Sequence, residues 1–241
     1  MIERIAVIIP ARDEAAVVAR CLDSVVVAAG RVSHRLPVSI VLVADSCTDQ
    51  TAAIASSFDG VTVVETTELE GGNVGAARAL GVATSLGLID QRSAAAELEN
   101  IWIANTDADS VVPVGWLVDQ LSLANSGADV IVGTVTPDFS DLDDELIAAW
   151  KATRTPGEPN GHVHGANLGI RASNYVRAGG YGPLAEHEDV DLVERLRRDG
   201  AMIVASEVVD VETSGRRAGR TPGGYSRYLH NDLRARSAVS L

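Results

Sequence analysis

Five short, nearly continuous apolar runs punctuate the first 135 residues, at 5–10, 38–44, 61–65, 101–105 and 130–135. Strands of this kind are apolar on both faces and must be covered on both, the situation of a parallel strand inside an α/β sheet. Between the runs, apolar residues recur at three- and four-residue steps. Val18, Leu22, Val25, Val26 and Ala29 form one such face after the first run, and residues 73–86 and 115–124 read as further helices. The alternation predicts an α/β fold, a Rossmann-like, mostly parallel sheet flanked by helices.

After residue 135 the pattern changes. Residues 139–154 read as a helix, 155–161 as a Pro/Gly loop and 166–171 as a short strand. A turn-rich stretch at 179–183, a short amphipathic helix at 190–198 and a strand at 203–211 follow. There is no fixed-period repeat and no low-complexity tract. The later part is therefore expected to extend the same sheet, giving a single domain over 1–241 with parts at 1–135, 136–215 and 216–241. A chain of 241 residues is long enough for one large core. The last 25 or so residues are expected to be partly mobile.

Composition removes several function classes. The formal charge of −13 disfavours nucleic acid as a partner, because phosphate contacts need clustered Lys and Arg. The balance reverses near the end, where Arg216, Arg217, Arg220, Arg227, Arg234 and Arg236 face one acid, Asp232. That segment is either a basic solubilising tail or an anion site, for phosphates or an acidic membrane surface. No apolar run reaches the roughly 18–20 residues that span a bilayer. The N-terminus has no secretory pattern, and Cys21 and Cys47 do not make a disulfide framework. A cytoplasmic location is the expectation.

In open α/β sheets ligands bind beyond the carboxyl ends of the strands, and three polar clusters fall there. They are Pro10–Glu14, Asp45–Asp49 and Asp107-Ala108-Asp109. Asp13, Thr48 and Asp49 are equally well read as helix caps. Asp107 and Asp109 are not: two carboxylates one residue apart repel each other unless a cation lies between them. Mg²⁺ or Mn²⁺ takes oxygen ligands of this kind together with substrate phosphates. Residues 71–78, Gly-Gly-Asn-Val-Gly-Ala-Ala-Arg, run into a helix whose start could hold an anion. They do not have the position or spacing of a dinucleotide fingerprint, so a nicotinamide enzyme is disfavoured. Near the other end, Glu188, Asp189 and Asp191 open a helix, either as acids complementing its dipole or with a general base among them. His162, His164 and His187 lack zinc-site spacing.

These segments, taken together and in order, resemble family 2 glycosyltransferases of the GT-A fold, from Ile5 to about Leu229. The matching stretches are V-I-I-P-A-R-D-E (7–14), V-A-D-S-C-T-D-Q-T (43–51), G-G-N-V-G-A-A-R (71–78), N-T-D-A-D-S (105–110), G-A-N-L-G-I-R (165–171), A-G-G-Y (178–181) and E-D-V-D-L-V-E-R-L (188–196). The resemblance implies a nucleoside-diphosphate-sugar donor, a divalent cation (Mg²⁺ or Mn²⁺), an acceptor hydroxyl on a small or lipid-linked molecule, and inversion at the anomeric carbon. It makes 1–135 the donor half and 136–215 the acceptor half. By position, Pro10, Arg12 and Glu14 line the nucleotide site, Asp45 contacts the base and Arg78 lies near the diphosphate. Asp107 and Asp109 match the D-x-D, with Asp109 the more direct metal ligand, and Asp189, beside Glu188, matches the general base. The Q-x-x-R-W element and membrane helices of the processive synthases are absent. A histidine ligand found after the last core strand in related enzymes is replaced by Thr213-Ser214-Gly215-Arg216-Arg217, so Arg216, Arg217 or Arg220 is expected on the leaving diphosphate. A nucleotidyltransferase or a non-catalytic nucleotide-sugar-binding protein remains an alternative, and homo-oligomerisation is open.

Overall fold

The structure is a computed structural model that describes all residues except 68, 70, 71, 89–94, 156, 157, 160, 220, 222 and 236–241. Seven strands form one sheet: β1 (Arg4–Ala11), β2 (Val38–Asp45), β3 (Val61–Thr66), β4 (Ile101–Asn105), β5 (Val130–Pro137), β6 (Leu168–Arg171) and β7 (Ile203–Thr213). Their order is β3-β2-β1-β4-β6-β5-β7. All neighbouring pairs are parallel except those of β6, which runs against both β4 and β5.

The helices are α1 (Val18–Gly30), α2 (Thr51–Ala55), α3 (Val74–Leu88), α4 (Ala95–Leu98), α5 (Trp116–Asn125), α6 (Asp144–Ala152), α7 (Ala172–Arg177), α8 (Glu188–Arg198) and α9 (Tyr225–Arg227). A π-helical stretch, Tyr228–Leu233, continues α9. Two-residue alternation splits β1, β2, β4 and β5 between two cores. Ile5, Val7 and Ile9 of β1 join Leu42, Trp102 and Ile131 under α1 and α5. Ala6 and Ile8 join Val41, Val43, Ile103 and Leu168 under α3, α7 and α8. This is why the strand sequences are apolar at consecutive positions. The two indoles in these cores are also satisfied as donors: Trp102 Nε1–H donates to Gln120 Oε1 at 2.7 Å and Trp116 Nε1–H to Asn167 Oδ1 at 3.0 Å. A third, small cluster joins Leu146 and Trp150 of α6 to Leu229 and Leu233.

Several boundaries differ from expectation. The helix expected from 139 begins at Asp144, because Asp138 caps a short 3₁₀ turn and Asp143 then accepts from Leu146 N–H at 2.9 Å. The helix expected from 190 begins at Glu188. The strand expected from 166 begins at Leu168, after a 3₁₀ turn at Gly165–Asn167. The described part of the basic C-terminal segment carries a helix, held by apolar contacts at Leu229 and Leu233 that offset its ordering entropy.

The reversed strand positions the site. Residue 105 at the end of β4 pairs with 168 at the start of β6. Chain entering β6 therefore sits at the same sheet edge from which β1, β2 and β4 leave. Residues 162–167 are thereby brought against the strand-end loops of the first half.

Candidate active site

The loops after β1 and β2 are fastened to each other. Asp13, with φ of 51°, accepts from Thr48 N–H at 2.7 Å, and Asp49 accepts from Thr51 N–H and Ala15 N–H, both at 2.9 Å. Asp13, Thr48 and Asp49 thus have the capping and tying role that their residue types favour. Asp13, Cys47 and Asp49 bring potential ligand atoms within 4.8 Å of one another. Burial pushes the Cys47 thiol up, which keeps it protonated and unsuited to a hard cation.

Held this way, the first loop presents Pro10, Arg12 and Glu14 to a cleft of about 470 Å³ at the carboxyl edge of the sheet. The Glu14 carboxylate is buried and takes a bidentate pair from Arg216, with both N···O distances 2.7 Å. Arg216 follows β7 and also lies 3.0 Å from Asp109. Burial pushes the Asp109 carboxyl up to about 7; the charges of Asp107 and Glu14 add to this and Arg216 opposes it. Glu14, Asp107 and Asp109 thus bring three carboxylates together against Arg216 and Arg78, and Arg78 is shared with Glu188.

Arg78 ties the two halves of the site together. Its Nε–H donates to Glu188 Oε1 at 3.0 Å and its Nη2–H to Asp107 Oδ1 at 2.5 Å, while Nη1 is buried without a hydrogen-bond partner among the described residues. Burial disfavours its charge, but Asp107, and after it Tyr181 and Glu188, offset this and push the guanidinium pKa up. Gly165 is required beside it, because a Cβ there would collide with Nη2. Glu188 is consumed in this ion pair. Its neighbour Asp189 faces the cleft, accepting from Gly165 N–H at 2.6 Å and Val190 N–H at 2.8 Å. Burial pushes the Asp189 carboxyl up and Arg78 opposes that, so the group sits above the usual carboxylate range.

The remaining expected residues divide. Asp45 is buried at the cleft and accepts from Ser46 Oγ at 3.0 Å. Arg12 lies over Gly72, which has no Cβ to collide with the guanidinium and whose φ of 75° also favours glycine. The start of α3 is not an open anion site: Asn73 Oδ1 accepts from Ala76 N–H at 2.9 Å, and Gly75 N–H donates to Leu184 O at 3.0 Å. Arg217 is exposed, outside the cleft wall, and its charge acts on Asp143. Arg220, with Gly71 and Arg236, lies outside the described residues.

The far wall of the cleft is aromatic. His162 and His164 stack with centroids 6.2 Å apart and planes 9° apart, and His164 meets Tyr225 edge-on at 5.7 Å. Tyr225 stacks on Tyr228 at 5.8 Å, and its hydroxyl accepts from Trp150 Nε1–H at 3.0 Å.

A family model described as glycosyl transferase family 2 matches residues 6–150, more than half of the chain. The chain belongs to glycosyl transferase family 2. Its fold is shared with solved glycosyltransferase structures at low identity. One is S. aureus TarS 1–349 in complex with UDP-GlcNAc, at 14% identity and TM-score 0.64. Another is the mannosyltransferase PcManGT from Pyrobaculum calidifontis in complex with GDP-Man and Mn²⁺, at 19% and 0.63. GalNAc-T7 with UDP, GalNAc and Mn²⁺ follows at 14% and 0.58. The alignments cover 99, 100 and 90% of this chain but 66, 75 and 44% of those chains. No curated protein matches the chain.

For this family 2 chain, residue-by-residue reading missed the aromatic wall and the Glu14–Arg216 pair. Signals for the wall existed. His162 and His164 are two apart, so an extended backbone puts both on one side, and Tyr225 and Tyr228 are three apart on a helix. Nothing local could have joined Glu14 to Arg216, which are 202 residues apart.

Proposed function

We propose that the protein transfers a sugar from a nucleoside-diphosphate-sugar donor to an acceptor hydroxyl, with inversion at the anomeric carbon. The observation that carries this reading is the convergence of Asp107, Asp109, Glu14, Arg216 and Asp189 on one cleft at the strand ends. Family membership and nucleotide-bound neighbours of the same fold support it.

Pro10, Arg12 and Asp45 form the nucleotide end of the cleft, Asp45 accepting from the base. A divalent cation fits the donor set: Asp107 and Asp109 offer oxygen ligands only, and Glu14 adds a third carboxylate beside them. Asp109 and Asp107 would hold Mg²⁺ or Mn²⁺, which supplies charge neutralisation for a diphosphate leaving group. Arg216 does the same work from the protein side, releasing Glu14 to meet the phosphates. Arg78 holds Asp107 and Glu188 in place, and Asp189 takes the acceptor proton as oxygen attacks the anomeric carbon. The protein thus acts by positioning and by electrostatic stabilisation.

The test is calorimetric titration of UDP and GDP with Mn²⁺, then with EDTA, on wild type and Asp109→Ala. One nucleotide should bind with metal and lose most of its affinity with EDTA or in the variant. Equal affinity under all conditions overturns the metal reading. Release of pyrophosphate instead of a nucleoside diphosphate during turnover overturns the transfer reading.

A further inference from the structure

Only 4% of this chain is aromatic, yet three of its nine Phe, Trp and Tyr residues (Trp150, Tyr225, Tyr228) line one end of the cleft, and Phe139 packs edge-on against Trp150. An ordinary core explanation accounts for Trp150, which is buried with Leu146, Leu229 and Leu233. Tyr225 and Tyr228 also rest against this cluster, yet with His162 and His164 they are left half-buried or exposed and line the cleft. Flat side chains left facing a polar cleft form a surface for a flat partner.

Two further observations place and type that surface. His164 is the residue before Gly165, whose N–H holds Asp189, so the wall adjoins the carboxylate that takes the acceptor proton. Within the wall, the His164 imidazole is uncharged at neutral pH. Burial, with His162 and Arg154 nearby, pushes the His164 imidazole down to about 4. The Arg154 guanidinium lies over Trp150, its charge 3.7 Å from Asp210.

We infer that this wall is the acceptor subsite, and that it takes a molecule presenting an uncharged ring face, with its reactive hydroxyl at the ring edge toward Asp189. A sugar ring offers such a face through its C–H groups, and an aromatic aglycone offers one through its π system. A linear polyol offers neither. The inference rests on the transfer reading above and specifies what that site accepts.

The chain has five histidines, so their ring protons can be followed by NMR. With UDP or GDP and Mg²⁺ present, methyl β-glucoside, 4-nitrophenol, 4-nitrophenyl β-glucoside and glycerol are titrated in turn. The His162 and His164 signals should shift and saturate with the ring compounds, not with glycerol, while His34 stays unmoved. Tighter binding of methyl glucoside than of nitrophenol assigns the face to a sugar ring, and the reverse order to an aromatic aglycone. Tyr228→Ala should weaken the tighter ligand about tenfold, whereas Tyr228→Phe should keep it within about twofold. Absence of ring-specific shifts, or identical titrations of wild type and Tyr228→Ala, overturns the subsite. Nucleotide binding is measured in the same samples. Its failure breaks the transfer reading, whereas its retention without a ring effect breaks the inference alone.

Discussion

The two sides of the cleft are built by different means. On the donor side, Pro10 and Asp45 lie at the ends of β1 and β2, and Arg12, Asp107 and Asp109 in the loops that follow β1 and β4, so sheet geometry sets their positions. On the acceptor side, His162, His164, Tyr225 and Tyr228 come from a loop and the final described helix, tied to the sheet by the reversed β6 and by Tyr225, which packs against the core under α1 and α5. The donor side is an ionic network, and the acceptor side an aromatic one. A rigid frame thus serves the chemically demanding charged leaving group, while recognition of the acceptor is left to less constrained segments.

Asp189 stands where the sides meet, so its replacement gives the sharpest separation. Asp189→Asn should lower transfer by about 10²–10⁴ while nucleotide affinity and melting temperature stay near wild type. Transfer within about threefold of wild type, with a fall in melting temperature, would make Asp189 a helix-start acid only. Arg78→Met tests the join itself. It leaves Glu188 and Asp107 without their buried counter-charge and should cost about 3–5 kcal/mol in denaturant unfolding. A cost below about 1 kcal/mol would show that the halves stand independently.

Acid should act on the aromatic side through His164, whose folded pKa of about 4 is depressed from 6.5 by burial. The unfolded chain binds that proton more readily, so this group's contribution to stability is lost as pH falls from about 6.5 toward 4. Asp109, Glu188 and Asp189 are shifted upward by burial and work in the opposite direction. The relevant measurement is therefore the difference in melting temperature between wild type and His164→Asn across that window. The wild type should lose more, and parallel curves would refute the assignment. The smallest effect is expected at Asp143→Ala, which removes the α6 cap and should cost about 1 kcal/mol without changing nucleotide affinity.

How much of this was legible in the sequence follows the same division. Apolar runs on consecutive positions dictated buried parallel strands, and strand ends then dictated where Glu14, Asp45, Asp107 and Asp109 would gather. The antiparallel direction of β6 was not readable, because a four-residue strand carries no sign of its orientation and its register is set by β4 and β5. Helix starts at Asp144 and Glu188 were displaced because caps and turns compete locally with apolar periodicity. The Arg216–Glu14 pair needed the fold, since only the adjacency of the β1 and β7 loops brings them together. Arginine as a cluster near the end was visible; which arginine enters the cleft was not.

The aromatic wall stands on its own small apolar cluster, whose buried members, Leu146, Trp150, Leu229 and Leu233, belong to neither core beneath the sheet. Substitutions there can accumulate without disturbing strand packing or the charged residues that strands deliver. A lineage can in this way exchange one acceptor for another by a handful of changes near residues 150–164 and 225–233, inheriting the donor machinery intact. Divergence among close relatives should then concentrate in those two stretches, while the loops after β1, β2 and β4 drift slowly.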